Sequence, residues 1–519
     1  MTISRLRSTS RCRLFRLALA AMMASTVGLA AGSLPAAAKD SIVIAYPADV
    51  PSWDANAHTF PMAMSIWKSV FDSPLTQRPD LTLAPNVITA WKWTDDGLGF
   101  EVTLRDDVYF HNGDKLTAED LRFTFFERLD ADRKGDKKLA ISGVWGRVKD
   151  IEVVSPTKAV FRLSAANPTM PQWLAFLGSF IVPKKYFTKV GKEGFLKKPI
   201  GSGPYKLADY QRGSRIVLEA NEKYWGGAPK FKRVTFEVVK DASARVAAIQ
   251  SKRVDLTIQV PIREALRLGK ISGLETDIYP FTQILMLQIT GSGVFSDANV
   301  RLAAHHAIDK AAISKALFNG SAVPLSVLAP PTTPGHVPGF NFAHDPDKAK
   351  SLLAASGYST SKPAKLKMLT TNGAFPNDFE MARAIGAMWK KVGIEAEIEV
   401  IELSKYYELN HSNKLPEATL YSWGNATGDP EIYTGYILNP KFRFAAWRSD
   451  DMGDMIGKLF GEVDYEKRIK GYQDVNKYVV EKGYAIPLLQ GVTTAVWQSN
   501  LNFKRYNNGW ILPAEYSSK

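Results

Sequence analysis

The sequence predicts an α/β fold built on parallel strands, and two observations predict it. Residues 365–401 read strand, helix, strand within 37 residues, which makes a βαβ unit with parallel strands and a right-handed crossover. Helices elsewhere are sharply punctuated by capping residues, Pro and Gly. The chain carries a single cysteine, Cys12, so a disulfide framework is excluded and core burial must hold the fold.

The elements follow in chain order. Arg5, Arg7, Arg11, Arg13 and Arg16 form a basic stretch ahead of an apolar run, "LALAAMMASTVGLAA", and small residues Ala36 and Ala38 precede Lys39. This pattern predicts a secretory signal over residues 1–38, cut near Lys39, with an apolar run too short to span a membrane. It has no twin-Arg pair; no cysteine stands at the cut, so a lipid anchor is not expected. Removal of five Arg and no acid lowers the net charge from +14 to +9 and leaves 481 residues, enough for two or three domains. The basic residues are scattered, so no nucleic-acid partner is expected. "FEVTLRDDVYFHNGD" reads as two strands with turns, and "KLTAEDLRFTFFERL" as a helix capped by Thr117 with Asp120 at its third position. In "DPDKAKSLLAASGY", Asp345 caps a helix, Pro346 opens it and Gly357 ends it.

The βαβ unit opens with "KLKMLTT". Asn377 is the expected helix cap, with Glu380 three residues on. Met381, Ile385, Met388 and Val392 make one apolar helix face, and Gly393 suits the left-handed position after it. In "IEAEIEVI", apolar residues alternate with Glu395, Glu397 and Glu399, as in a half-buried strand. "EATLYSW" reads as a further strand. In parallel sheets ligands bind beyond the carboxyl ends of strands. The loops at those ends are Asn372, Gly373, Ala374 and Phe375 after one strand, and Gly424 to Pro430 after the other. Both are candidate ligand walls; the alternative is an ordinary surface loop.

Catalytic signatures are missing. There is no HExxH, GxSxG or GxxxxGK[ST], and neither "GSGPY" nor "GSGVF" fits GxGxxG. His305 and His306 point about 100° apart on a helix and converge poorly on a metal. His58 and His411 are isolated, and either could meet a bound metal chelate. No resident metal, cofactor or catalytic set is expected.

Several spaced phrases then become specific. "LAPNVITAWKWTDDGLGFEVTLRDDVYFHNGDKLTAEDLRFTF" (83–125) resembles the signature of family 5 extracellular solute-binding proteins, which bind peptides, nickel, opines or oligosaccharides for ABC importers. Pro85, Trp91, Asp96, Gly97, Leu104, Arg105, Phe110, His111, Gly113, Thr117, Ala118, Glu119 and Asp120 sit where that pattern wants them; Asn112 replaces a usual Asp. "PIGSGPYKL", "NEKYWGGAPKFKRVTFEVVKDASARVAAIQSKRVDL", "FSDANVRLAAHHAIDKAAI" and "DPDKAKSLLAASGY" follow in the family's order.

The resemblance implies a two-lobed periplasmic-binding-protein fold that closes on its ligand by a hinge. Lobe one would comprise 39–74, 200–284 and 488–519, with an extra subdomain at 75–199, and lobe two 285–487. It implies a monomeric, non-enzymatic periplasmic protein that passes a small solute to a membrane permease powered by a separate ATPase. The candidate ligand-binding residues are Trp53, His58, Asn372, Phe375, Trp423, Asn425, Thr427 and Asp429. Asp429 either faces the cleft or caps the turn before Pro430. Peptide-binding relatives often place an Asp where Ala426 stands, and dipeptide binders an Arg near the position of Asn372. A dipeptide would then lack partners for its charged ends, which costs several kcal/mol when they are buried. A longer or modified peptide, or a neutral solute such as an oligosaccharide stacked on aromatic rings, is easier to accommodate.

Overall fold

A computed structural model describes residues 39–58, 60–128, 145–331 and 333–519. The expected export segment 1–38 lies outside the described residues, as does the end of the helix expected over 115–129.

In chain order the principal strands begin with β1 (Ser41–Tyr46), β2 (Ile88–Trp93), β3 (Gly99–Leu104), β4 (Val148–Ser155) and β5 (Lys158–Leu163). They continue with β6 (Tyr205–Gln211), β7 (Arg215–Ala220), β8 (Arg233–Val238), β9 (Leu256–Ile258) and β10 (Leu274–Ile289). The last four are β11 (Ala364–Thr370), β12 (Ile394–Val400), β13 (Ala418–Gly424) and β14 (Ala485–Gln498). The helices that position the site are α1 (Ile262–Leu268), α2 (Lys310–Phe318), α3 (Pro346–Ala355), α4 (Asp378–Val392) and α5 (Tyr465–Lys482).

One sheet runs β12-β11-β13-β10-β14-β9-β1-β8-β7-β6, with the short strand Val323–Pro324 also paired to β14. The βαβ expectation holds: β11 pairs parallel with β12 and with β13. The buried face of α4 is Met381, Ala382, Ile385, Trp389 and Val392, so Trp389 fills the place expected of Met388, which is only partly buried. The Trp389 ring N–H donates to the Ala304 carbonyl at 2.8 Å, satisfying a fully buried indole. β12 is an edge strand, and its Glu395 and Glu399 pair with Lys365 and Lys367 of β11.

The long antiparallel strands β10 and β14 join the two lobes. β12, β11 and β13 lie on one side of this pair, and β9, β1, β8, β7 and β6 on the other. Their register breaks between Pro280 and Ile284. Pro280 brings no N–H to the ladder, and Thr282 turns outward to bond Asn507 and Asn425 through its backbone. That break falls between Tyr279, in one core, and Leu285, in another.

Each lobe has its own core. Ile44, Trp67, Phe236 and Tyr279 belong to that of lobe one. Lobe two has separate cores around Trp389 and around Tyr433, with Leu287 in the first and Met286, its neighbour on β10, in the second. The extra subdomain is a four-stranded antiparallel sheet, β2-β3-β5-β4, packed on Phe125 and Trp145.

Three local expectations meet different outcomes. The capping box of Thr117 and Asp120 is present, and Asp345 caps α3 by accepting from the Lys348 N–H. Asn377 stands at the start of α4 but does not cap it: it is left-handed (φ 59°), and its amide donates to the Leu317 carbonyl. The second strand expected in 100–114 reduces to a single bridge between Tyr109 and Lys115.

Candidate functional site

A cavity of about 1220 Å³ lies between the lobes. Lobe one contributes Gln259, Val260 and α1; lobe two contributes the end of α2 and the loop 374–377. Phe281 and Gln283 of β10 and residues 492–494 of β14 form the floor. The walls are therefore the carboxyl ends of β9 and β11, where a parallel sheet exposes strand ends to a ligand, and the floor includes the register break.

Asp378 builds the lobe-two wall. It is buried, and its carboxylate accepts from the N–H groups of Gly373 (2.8 Å) and Ala374 (3.0 Å) and from the Thr371 hydroxyl (2.6 Å). A carboxylate gathering donors in this way fixes the loop over the start of α4. Phe375 is thereby held buried in the lobe-two core with its edge on the cavity, while Asn372 is exposed and does not line it.

The loop after β13 is organised differently. Asn425 is buried, and its side chain serves its own loop: its amide donates to the Asp429 carbonyl at 2.6 Å, and its oxygen accepts from Thr427 and Gly428. The Thr427 hydroxyl in turn accepts from the Asp429 N–H. Asp429 caps the Glu431 N–H and takes both ends of the Arg468 guanidinium, at 2.7 and 2.8 Å. Arg468 also donates to Glu431 at 3.0 Å. Two buried carboxylates therefore share one buried cation, and burial pushes the Glu431 carboxyl up to about 7 against the opposing pull of Arg468.

The same loop touches the other lobe. The Gln77 amide donates to the Thr427 carbonyl at 2.8 Å, and Ala426 packs on the lobe-one core. A second interlobe cavity, about 380 Å³, lies beside this contact. Trp91, Trp93 and Leu81 of the extra subdomain line it, opposite Thr427, Asp429 and Tyr465.

The expected site residues are thus divided. Phe375 lines the larger cavity, and Thr427 and Asp429 the smaller. Trp423 is half-buried; its ring N–H donates to the Ile432 carbonyl at 2.8 Å and its ring packs edge-on to Phe444. Trp53 is buried in the lobe-one core against Tyr210, and His58 follows the turn Ala55–Ala57, half-buried; neither lines either of these two cavities. Of the histidine pair, His305 is buried and stacked on Phe342 at 3.7 Å, and His306 bonds the Ala343 carbonyl. Gln259, Phe281 and Gln283 also line the larger cavity and lie outside the residues that the sequence motifs single out. "YPFTQ" within a run of strand residues was the available signal, since Pro there marks an interrupted ladder.

Comparison with known proteins agrees with this architecture. The chain is 26% identical to heme-binding protein A of Haemophilus influenzae over 438 residues, covering 79% of each. It is 25% identical to the dipeptide-binding protein of Escherichia coli, covering 78% of this chain and 80% of that one. Among solved structures, an ABC transporter-associated periplasmic binding protein from Helicobacter pylori, in complex with the peptide STSA, superposes with a TM-score of 0.72 at 23% identity, covering 92% of this chain and 98% of that one. Residues 82–443 match the family described as bacterial extracellular solute-binding proteins, family 5. With that match spanning most of the chain, and the two lobes meeting over a cleft floored by their joining strands, this protein belongs to the family 5 bacterial extracellular solute-binding proteins.

Proposed function

We propose that the chain captures a peptide in the cleft between its lobes and delivers it to the permease of an ABC importer. The observation that carries this reading is the 1220 Å³ cavity walled by both lobes and floored by their joining strands. That volume is above the roughly 300–1,000 Å³ usual for small-ligand sites, and it suits an extended chain of several residues. Its named walls and floor offer apolar Val260, Phe281 and Phe375 beside polar Gln259 and Gln283. Ala426 and Asn372 are uncharged, and neither lines the larger cavity. The cavity's volume favours a peptide longer than two residues.

In this reading the protein is exported by residues 1–38, acts in the periplasm as a monomer and performs no chemistry on its solute. The lobes divide near residues 285 and 487, and closure about Pro280 sequesters the peptide from water. Residues 39–519 would be screened by thermal shift against peptides of two to six residues and against oligosaccharides. A bound solute at 100 times its Kd stabilises the fold by about 2.7 kcal/mol. A response confined to sugars, or turnover of a peptide that binds, would overturn the reading.

A further inference from the structure

We infer that the interlobe cleft selects an anionic solute, an acidic peptide in the reading above, on which this inference rests. The charged residues lining the larger cavity are Arg263, Glu264, Arg267 and Lys270 on lobe one and Lys315 on lobe two. Glu264, the one acid among them, is neutralised by Arg267, whose Nε donates to it at 2.8 Å while Nη2 bonds Gln250. Arg263, Lys270 and Lys315 form no ion pair among the described residues, and all three are exposed at the cavity wall. Two uncompensated cations on one lobe therefore look across the gap at a third on the other.

This arrangement has two physical consequences. Bringing the lobes together around a neutral guest crowds like charges into a space losing its water, which disfavours closure. A guest with negative charge at two points reverses the sign, because it attracts both walls at once. The smaller cavity shows the contrast: its Arg468 is consumed by Asp429 and Glu431 and has no charge left to offer. Charge at the larger cavity thus sets specificity and encounter rate, as complementary potentials do at other interfaces.

The test uses residues 39–519 and four probes, the peptides Glu-Glu-Glu, Ala-Ala-Ala and Lys-Lys-Lys together with citrate, titrated calorimetrically at low salt and at 1 M NaCl. Glu-Glu-Glu should bind at least about fivefold more tightly than Ala-Ala-Ala at low salt, the ratio given by one unit-charge contact at 4 Å in water-like surroundings. Lys-Lys-Lys should bind most weakly. At 1 M salt, where the screening length falls to about 3 Å, the preference should shrink. Lys315→Gln and Arg263→Gln should each weaken Glu-Glu-Glu by about fivefold, while Lys223→Gln, outside the cleft, should not. Equal low-salt affinity for Glu-Glu-Glu and Ala-Ala-Ala overturns the charge assignment and leaves peptide capture standing. Citrate binding with no peptide binding overturns peptide capture and supports the charge assignment. A folded chain that binds none of the four overturns both.

Discussion

Replacing Glu431 with Gln tests the electrostatics of the loop that links the lobes. Glu431 is 5% exposed, and Arg468 is already engaged on both oxygens of Asp429, so the second carboxylate is surplus negative charge without its water. Burial raises its pKa from 4.5 to about 7. Between those values the native state holds a proton that the unfolded state has released. Stability from this group is therefore complete below pH 4.5 and lost as pH rises through 7, with a slope of about 1.4 kcal/mol per pH unit and a total of about 3 kcal/mol. Gln keeps an oxygen for the Arg468 N–H and never ionises. Glu431→Gln should then exceed the parent by under about 1 kcal/mol near pH 5 and by about 3 kcal/mol at pH 8. Urea unfolding followed by tryptophan fluorescence at pH 5, 6, 7 and 8 measures the difference. His111, Lys68 and Lys310, whose pKa values burial lowers to about 4, 7 and 7, titrate in both chains and cancel. A parent-minus-variant difference that stays constant over this range would refute the assignment.

Other perturbations reach the site from different directions. Asp378→Ala strips the wall loop of its shared acceptor and should cost about 3 kcal/mol, with faster amide exchange at residues 371–377; unchanged exchange there would count against the role given to Asp378. Phe375→Ala should weaken peptide binding by about tenfold, or 1.4 kcal/mol, and calorimetry showing full affinity would remove Phe375 from the site. Gly201→Ala places a methyl 2.0 Å from the Val70 carbonyl oxygen. A melt shifted by much less than about 3 kcal/mol would show that the backbone relaxes there.

The sequence revealed what depends on local pattern. The βαβ unit, the Thr117 and Asp120 box and the Asp345 cap each follow from residues within a few positions of one another, and all are present. Asn377 was misread because its amide is drawn to Leu317, 60 residues away, a partner that no local rule contains. "GSGPY" gave no nucleotide signature, and its glycines have a different cause: at both Gly201 and Gly203 an added Cβ would collide with the Val70 backbone. The polar run 425–429 posed a harder problem. Asn, Thr and Asp two residues apart build self-bonded turns and ligand walls with the same atoms. Here Asn425 is turned inward, whereas Thr427 and Asp429 both hold the turn and border a cavity. The larger cavity was least legible, since Gln259, Phe281, Lys315 and Phe375 come from four separate parts of the chain.

The order of strands also dictates when the molecule can be finished. β9 is buried along its whole length, yet one of its two partners, β14, is made about 230 residues later. Until that last ribbon is synthesised, lobe one carries an unpaired apolar border of the kind that recruits other chains. Lobe two waits on the same strand, since Ile486, Leu488 and Leu489 of β14 fill its core, so a truncation anywhere before residue 485 should give a sticky half-product rather than a smaller working protein.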